Sequence, residues 1–371
     1  MNKPLAALAL SVAMAGSALA QTPVKIKIAD SFPVGHYLPR YITLPMIERL
    51  KANPAAKGYE FEYYPAEQMG KAKDFLALTQ AGVIDIAYVA PGFVPDKMPL
   101  SVVAELPLAF TGSCMATLAY WNLAKPGGLL AKKEFEPNGV RLLFTIVLPP
   151  YQVVTRKPFA SIKDIEGMKI RASGSAKELV LKKLKAIPVL MPTPDVYESL
   201  SRGTIDGVLF PFNSLPPYDL HKLSKTGTIG ENFGTFVANF VISEKRWQNL
   251  PPALQKDLTA MGDEIVRSAC AQVERDEAGD IEKVKAAGVK LITLSAADKA
   301  QVATAMSEVS KDWAETLDKR GRAGTEVLNA FQAGLKCVDH RAASDPAARR
   351  GRGAARRGAR LSRPGTARHG A

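Results

Sequence analysis

The chain has 371 residues, 47% of them apolar, and carries 49 Lys and Arg against 36 Asp and Glu for a formal net charge of +13. That length and apolar share allow two packed domains and exclude a wholly disordered or collagen-like chain. The charge is uneven, since residues 341–371 hold nine Arg and one Asp and so carry +8 of the +13.

Residues 1–20 read as a secretory signal. Lys3 gives the positive start, Leu5 to Met14 the apolar middle, and Ala18-Leu19-Ala20 the small-x-small cleavage pattern. Gly16 and Ser17 cut the apolar run short of the ~20 residues a membrane span needs, so an anchor is disfavoured and no other segment is apolar enough to span. A mature chain beginning at Gln21 and a periplasmic or extracellular destination are expected. After it, Lys25 to Ala29 alternates as a strand, and Tyr41 to Leu50 reads as a helix whose regular part starts near Pro45. Tyr59 to Tyr64 is a strand, Lys71 to Gln80 a helix, and Ile84 to Ala90 a nearly all-apolar strand buried on both faces. This βαβαβ run is followed by a helical stretch, Gly112 to Lys133, and a long apolar strand, Val140 to Val147.

A second lobe begins at Tyr151 to Thr155. From Ser161 to Pro211 the pattern alternates strand, helix, strand, helix, strand, which implies a parallel sheet with crossover helices. Arg171 falls where the first of these strands ends and the Ser173-Gly174-Ser175 turn begins. In open α/β sheets ligands bind outside the carboxyl ends of strands, so a cation there faces the cleft, and its planar fork suits a carboxylate. Phe236 to Ser243 leads back into the first lobe. Pro251 and Pro252 open a helix through about Lys285, some 35 residues or ~50 Å, long enough to cross both lobes. A strand at Val289 to Leu294 and a helix at Ala296 to Lys319 complete the fold.

Residues 341–371 are almost entirely Ala, Arg, Gly, Pro and Ser, and cannot bury a core. They read as a disordered tail, either genuine or the product of reading a GC-rich gene out of frame. Export and the lack of aromatic residues argue against a nucleic-acid-binding arm. Catalytic signatures are missing: the four His are not spaced as metal pairs, and no GxSxG elbow, P-loop or GxGxxG fingerprint occurs. No cofactor is expected. Of the cysteines Cys114, Cys270 and Cys337, an odd count leaves at least one unpaired. Cys114 and Cys270 fit either a bridge or two small buried hydrophobes.

Several motifs, in order and spacing, resemble the periplasmic solute-binding subunits of TRAP transporters, the DctP-type family. They are Tyr64-Pro65-Ala66-Glu67-Gln68-Met69-Gly70, Gly82-Val83-Ile84-Asp85, Glu105-Leu106-Pro107, Gly167-Met168-Lys169-Ile170-Arg171, Pro188 with Met191, Asp195-Val196-Tyr197 with Leu200, Asp206-Gly207, and Trp247 with Leu250-Pro251. The resemblance covers roughly residues 25–335. It implies an α/β, two-lobed periplasmic binding protein of type II-like fold, with hinge strands and a long bracing helix. On this basis residues 21–148 and 237–276 form lobe I, and 149–236 and 277–338 lobe II. It further implies a receptor for an organic acid that works with small and large membrane permease subunits, and makes Arg171 the carboxylate clamp. An interdomain salt bridge is the plainer role for that arginine.

Two departures bear on the ligand. Many members that bind acidic sugars or dicarboxylates have a second arginine where this chain has Tyr151, with Gln152 beside it. Many also have Glu-Asn-Pro after Asp-Gly, where Leu209-Phe210-Pro211 stands here. Tyr151, Phe210 and Phe212 would then form aromatic walls, with Gln152 and Asn213 as polar contacts, although core packing is an equal claim on Phe210 and a better one on Phe212. His36, with Tyr37, follows the first strand and would face the cleft from lobe I unless its loop is simply at the surface. One cation among aromatics suits an apolar or aromatic monocarboxylate. A ligand sensor for a membrane kinase, or an enzyme on the same scaffold, are the alternatives.

Overall fold

The computed structural model describes residues 22–110 and 112–344. The signal segment and the tail beyond Ser344 lie outside the described residues. The strands are β1 Val24–Ala29, β2 Tyr59–Tyr64, β3 Ile86–Val89, β4 Val140–Val147, β5 Gln152–Thr155, β6 Lys169–Ala172, β7 Ile187–Leu190, β8 Gly207–Phe210, β9 Thr226–Thr228, β10 Val237–Ser243 and β11 Lys290–Ile292. The helices are α1 Leu44–Lys51, α2 Phe75–Gln80, α3 Ser113–Ala124, α4 Ser175–Lys183, α5 Val196–Ser201, α6 Leu220–Leu223, α7 Glu244–Gln248, α8 Pro252–Ala286, α9 Ala296–Lys319 and α10 Gly324–Ser344.

The first lobe holds a five-stranded sheet in the order β2-β1-β3-β10-β4, and the second a six-stranded sheet in the order β11-β9-β5-β8-β6-β7. β1, β2 and β3 run parallel, while β10 pairs antiparallel with β3 and β4. In the second lobe β6 runs parallel to β7 and β8, and β5 antiparallel to β8 and β9. This is the expected two-lobed α/β architecture, with the chain crossing after β4 and returning at β10. β3, apolar on both faces, is buried throughout.

α8 braces the lobes. Its 35 residues span about 50 Å, with Pro252 in the first turn, where a missing N–H costs nothing. Leu254 to Val273 pack into the main core, whereas Val284 belongs to the apolar cluster of the second lobe. Cys114 of α3 and Cys270 of α8 form a disulfide, and Cys337 is free and exposed.

The sequence reading needs three corrections. The stretch Gly112 to Lys133 is not one helix, because α3 stops at Ala124 and a wide turn at Ala131–Phe135 precedes β4. β9, too short for a periodicity signal, was not anticipated. β11 pairs with β9 of the second sheet and α9 packs on α4, while α10, which the sequence pattern did not reveal, packs on both α9 and α3. That helix turns back and lies on α3, placing Val327, Leu328, Phe331 and Leu335 in the core. A Cβ on Gly334 would stand 3.3 Å from Ala119, so the two helices meet backbone to backbone. α10 also runs to Ser344, past the change of composition at Arg341.

Candidate functional site

The two lobes meet over the carboxyl ends of β1, β3, β6 and β8. Arg171, near the end of β6, is fully buried. Its Nε donates to the Met191 carbonyl at 3.1 Å and its Nη2 to Thr193 Oγ1 at 3.0 Å, both just past β7, which fixes the plane of the guanidinium. Nη1 has no partner among the described residues. The guanidinium carbon stands 5.3 Å from the centre of the Phe210 ring, a cation–π distance. Burial lowers the arginine's pKa, and Tyr151, Tyr218, Tyr88 and Glu105 pull it back up.

Tyr151 stands 6.0 Å from Phe210, ring centre to ring centre. Burial raises its pKa and the charge of Arg171 acts to lower it, so the phenol lies within electrostatic reach of the guanidinium. Ser173 Oγ is itself buried without a partner. Tyr218 meets Phe210 edge-on at 6.0 Å, and its buried hydroxyl likewise lacks a partner.

From the first lobe, the His36 ring stacks between Phe32 at 4.9 Å and Tyr37 at 4.3 Å, with Tyr218 of the other lobe at 5.5 Å. Its Nδ1 accepts from the Leu38 N–H at 3.2 Å, which leaves the ring proton on Nε2, 3.4 Å from Ser214 Oγ across the cleft. Burial alone depresses the imidazole pKa to about 3, so the ring is neutral. Asn213 joins the same contact, since Ser214 Oγ reaches its Oδ1 at 3.4 Å and Tyr37 Oη at 3.3 Å.

Two expected contacts are not made. The Gln152 amide is taken up within its own lobe: Nε2 donates to the Glu231 carbonyl at 2.5 Å, and Oε1 accepts from Thr228 Oγ1 at 2.9 Å. Adjacent residues of an extended chain point to opposite sides, so Tyr151 faces the cleft and Gln152 does not. Phe212 packs in the second-lobe core over β9, near Gly227. Arg171, Tyr151, Phe210, His36 and Asn213 are brought to the cleft.

Sequence reasoning passed over other buried polar groups between the lobes. Lys177 of α4 and Glu105 of the turn Ser101–Glu105 form an ion pair of 2.6 Å between the lobes, with neither side chain exposed. A lone acid in the apolar run from Val102 to Phe110 was a signal for it. Tyr88, a phenol in an otherwise aliphatic strand, was another. The lobes also touch at two glycines. A Cβ on Gly174 would come within 3.0 Å of the Gly92 backbone, so neither position admits a larger residue without moving the lobes apart.

Grooves of about 560 Å³, beside Tyr37, Asn213 and Arg275, and 340 Å³, beside Pro33, Pro194 and Tyr218, lead in from the surface. A roomier one of about 740 Å³ lies between α9 and α10, away from Arg171. Orphaned polar atoms and a buried cation weigh more than volume, and on that ground Arg171 is the centre of the candidate site.

Comparison with known proteins agrees with this fold. A solute-binding protein of Albidiferax ferrireducens is 24% identical over 288 residues, covering 75% of this chain and 82% of the relative. The crystal structure of a marine metagenome TRAP solute binding protein specific for aromatic acid ligands, in complex with metahydroxyphenylacetate, superposes with a TM-score of 0.79 at 24% identity, covering 85% of this chain and 99% of the other. A TRAP solute binding protein from Rhodoferax ferrireducens in complex with copurified benzoate gives 0.78 at 23% identity, covering 86% and 99%. Residues 48–316 match the family described as bacterial extracellular solute-binding protein, family 7, or DctP, and the chain belongs to that family.

Proposed function

We propose that this protein is a periplasmic receptor that closes around one apolar or aromatic monocarboxylate and delivers it to the small and large membrane subunits of a TRAP transporter. Arg171 carries the reading. A fully buried guanidinium with two nitrogens already fixed and Nη1 free among aromatic rings is poised for one anionic oxygen. Ser173 Oγ, beside the same corner, can serve the second oxygen.

Phe210, Tyr151 and Tyr88 suit a flat apolar body, and the benzoate and metahydroxyphenylacetate held by two relatives support that choice. The signal-like residues 1–20 and the Cys114–Cys270 bridge fit an oxidising compartment outside the cytoplasm. No turnover is part of the reading: the protein binds, closes by hinge motion at β4–β5 and β10, and releases. A thermal-shift screen of benzoate, mandelate and succinate tests it. Benzoate or mandelate is expected to raise the melting temperature, as a ligand of the folded state must. A shift with succinate alone would sink the assignment.

A further inference from the structure

We infer that Tyr218 is a specificity-determining residue that reads an uncharged polar substituent on the body of the ligand, so that the preferred ligand is a hydroxylated aromatic acid. This inference rests on the receptor reading above. Among the described residues, several buried polar atoms lack partners, and those around Phe210 are Arg171 Nη1, Ser173 Oγ and the Tyr218 hydroxyl. A buried hydroxyl with no hydrogen bond is costly, and natural sites rarely keep one without use. Arg171 and Ser173 together account for the two oxygens of a carboxylate. The Tyr218 hydroxyl is left over, and it is displaced from that corner. Phe210 separates them, with Arg171 at 5.3 Å from its ring centre and Tyr218 edge-on at 6.0 Å. An aromatic acid lying along Phe210 with its carboxylate on Arg171 directs its far edge towards Tyr218.

The neighbours of Tyr218 favour a neutral group there. His36, 5.5 Å away, is neutral and already engaged through both nitrogens, so it offers no cation for a second anion. Asp30 and, more weakly, Glu67 lie within electrostatic reach and oppose a further negative charge; Arg171 attracts one, but its charge is taken by the ligand's carboxylate. A phenol or alcohol can both donate and accept, which matches a tyrosine hydroxyl. The main-chain setting holds the ring in place. Pro216 and Pro217 precede Tyr218, and Asp219 follows in the left-handed region at φ 57°, a tightly determined turn.

The test is calorimetric binding of benzoate, 3-hydroxybenzoate and 4-hydroxybenzoate to the wild-type protein and to Tyr218→Phe, with matched melting temperatures as the folding check. The wild type is expected to prefer one hydroxybenzoate over benzoate by about tenfold, the scale of one well-placed hydrogen bond. Tyr218→Phe is expected to erase that preference while leaving benzoate affinity within about twofold. Equal wild-type affinity for all three, or a preference that survives in Tyr218→Phe, overturns the role of Tyr218 and leaves the receptor reading intact. If the wild type binds none of them, both fall. A lower melting temperature together with equal losses for every acid would mark the ring as structural, and also overturns it.

Discussion

Lys177 of the second lobe and Glu105 of the first meet at 2.6 Å with no solvent exposure of either side chain. Lys177 also donates to the Thr235 carbonyl at 2.5 Å, and the Glu105 carbonyl accepts from the Thr235 N–H at 3.1 Å. Thr235 lies two residues before β10, so the pair clamps α4 to the hinge crossing and not to the mouth of the cleft. Both charges have been dehydrated. The worth of such a pair shows when one partner is lost, because the other is then buried alone.

Lys177→Met is therefore expected to lower folding stability by about 3–5 kcal/mol, and the double variant Lys177→Met with Glu105→Leu to recover a large part of it. Denaturant unfolding of the three proteins measures this. A single variant within about 1 kcal/mol of the wild type would mean that the pair is not closed off from water.

Arg171→Ala is expected to weaken binding of the carboxylate ligand by about thirtyfold to several thousandfold, the range set by ~2–5 kcal/mol for a buried charged partner. Arg171→Lys is expected to recover little, because the ammonium cannot donate to Met191, Thr193 and a ligand oxygen in one plane. Calorimetry that finds near-normal affinity for the folded alanine variant would remove Arg171 from the site.

The fold was legible in this chain wherever period and length agreed. β2, β4 and α8 are long and regularly patterned, and their bounds are those the pattern implies. β9 and α10 were not found, the first because three residues carry no period and the second because its partner, α3, lies two hundred residues earlier. Arg171 could be placed from its strand end, and Tyr151 and Phe210 by their departure from the family pattern. Gln152 and Phe212 could not be separated from true cleft residues. Their direction depends on which side of the sheet faces the other lobe, a property of lobe packing and not of local sequence. The pairing of Lys177 with Glu105 lay out of reach for the same reason, whereas the Cys114–Cys270 bridge was one of two readings between which the sequence could not choose.

Replacing both Cys114 and Cys270 by Ala is expected to cost about 2–5 kcal/mol. The bridge closes a loop with a sequence separation of 156, and cross-links over long loops restrict the unfolded chain most. It also pins α3, the seat of α10, to the bracing helix, so loss of cooperativity in the unfolding curve is a further expected sign. An unchanged denaturation midpoint on reduction or in the double variant would show that the bridge contributes nothing.

His36 makes stability sensitive to acid. Its folded-state pKa is about 3 against an ordinary 6.5, so below pH 6.5 the unfolded chain takes up a proton that the folded protein refuses. Stability from this group is intact above pH 6.5 and is lost as pH falls towards 3, by up to ~1.4 kcal/mol per pH unit. Asp30, held up at about 6 by burial, and Glu134, at about 7, act the other way, because their folded forms keep protons more tightly as pH falls. The wild-type profile is thus a partial cancellation. The difference between His36→Gln and wild type isolates the histidine, and it is expected to grow in favour of the variant as pH falls from 6.5 to 4.5. A flat difference would show that His36 is hydrated in the folded state.

Charge around the cleft decides between one carboxylate and two. Arg171 and Lys177 bring two cations and Glu105 one anion, and all three are buried within electrostatic reach of one another. Of these three groups one positive charge remains, and a single ligand carboxylate at Arg171 neutralises it. A second carboxylate would lose its hydration and meet Tyr218, neutral His36 and the buried Asp30, none of which offers a cation. Burying an uncompensated carboxylate costs several kcal/mol, which outweighs the extra hydrogen bonds it could make to phenols. Competition binding is therefore expected to rank benzoate or mandelate above succinate and malate by at least tenfold. The gap is expected to narrow as pH falls towards the second pKa of the diacid, where the monoanion becomes available. If a four-carbon diacid binds more tightly than every monocarboxylate at pH 7.5, the charge balance drawn from Arg171, Lys177 and Glu105 is wrong, and a second cation must enter the cleft on closure.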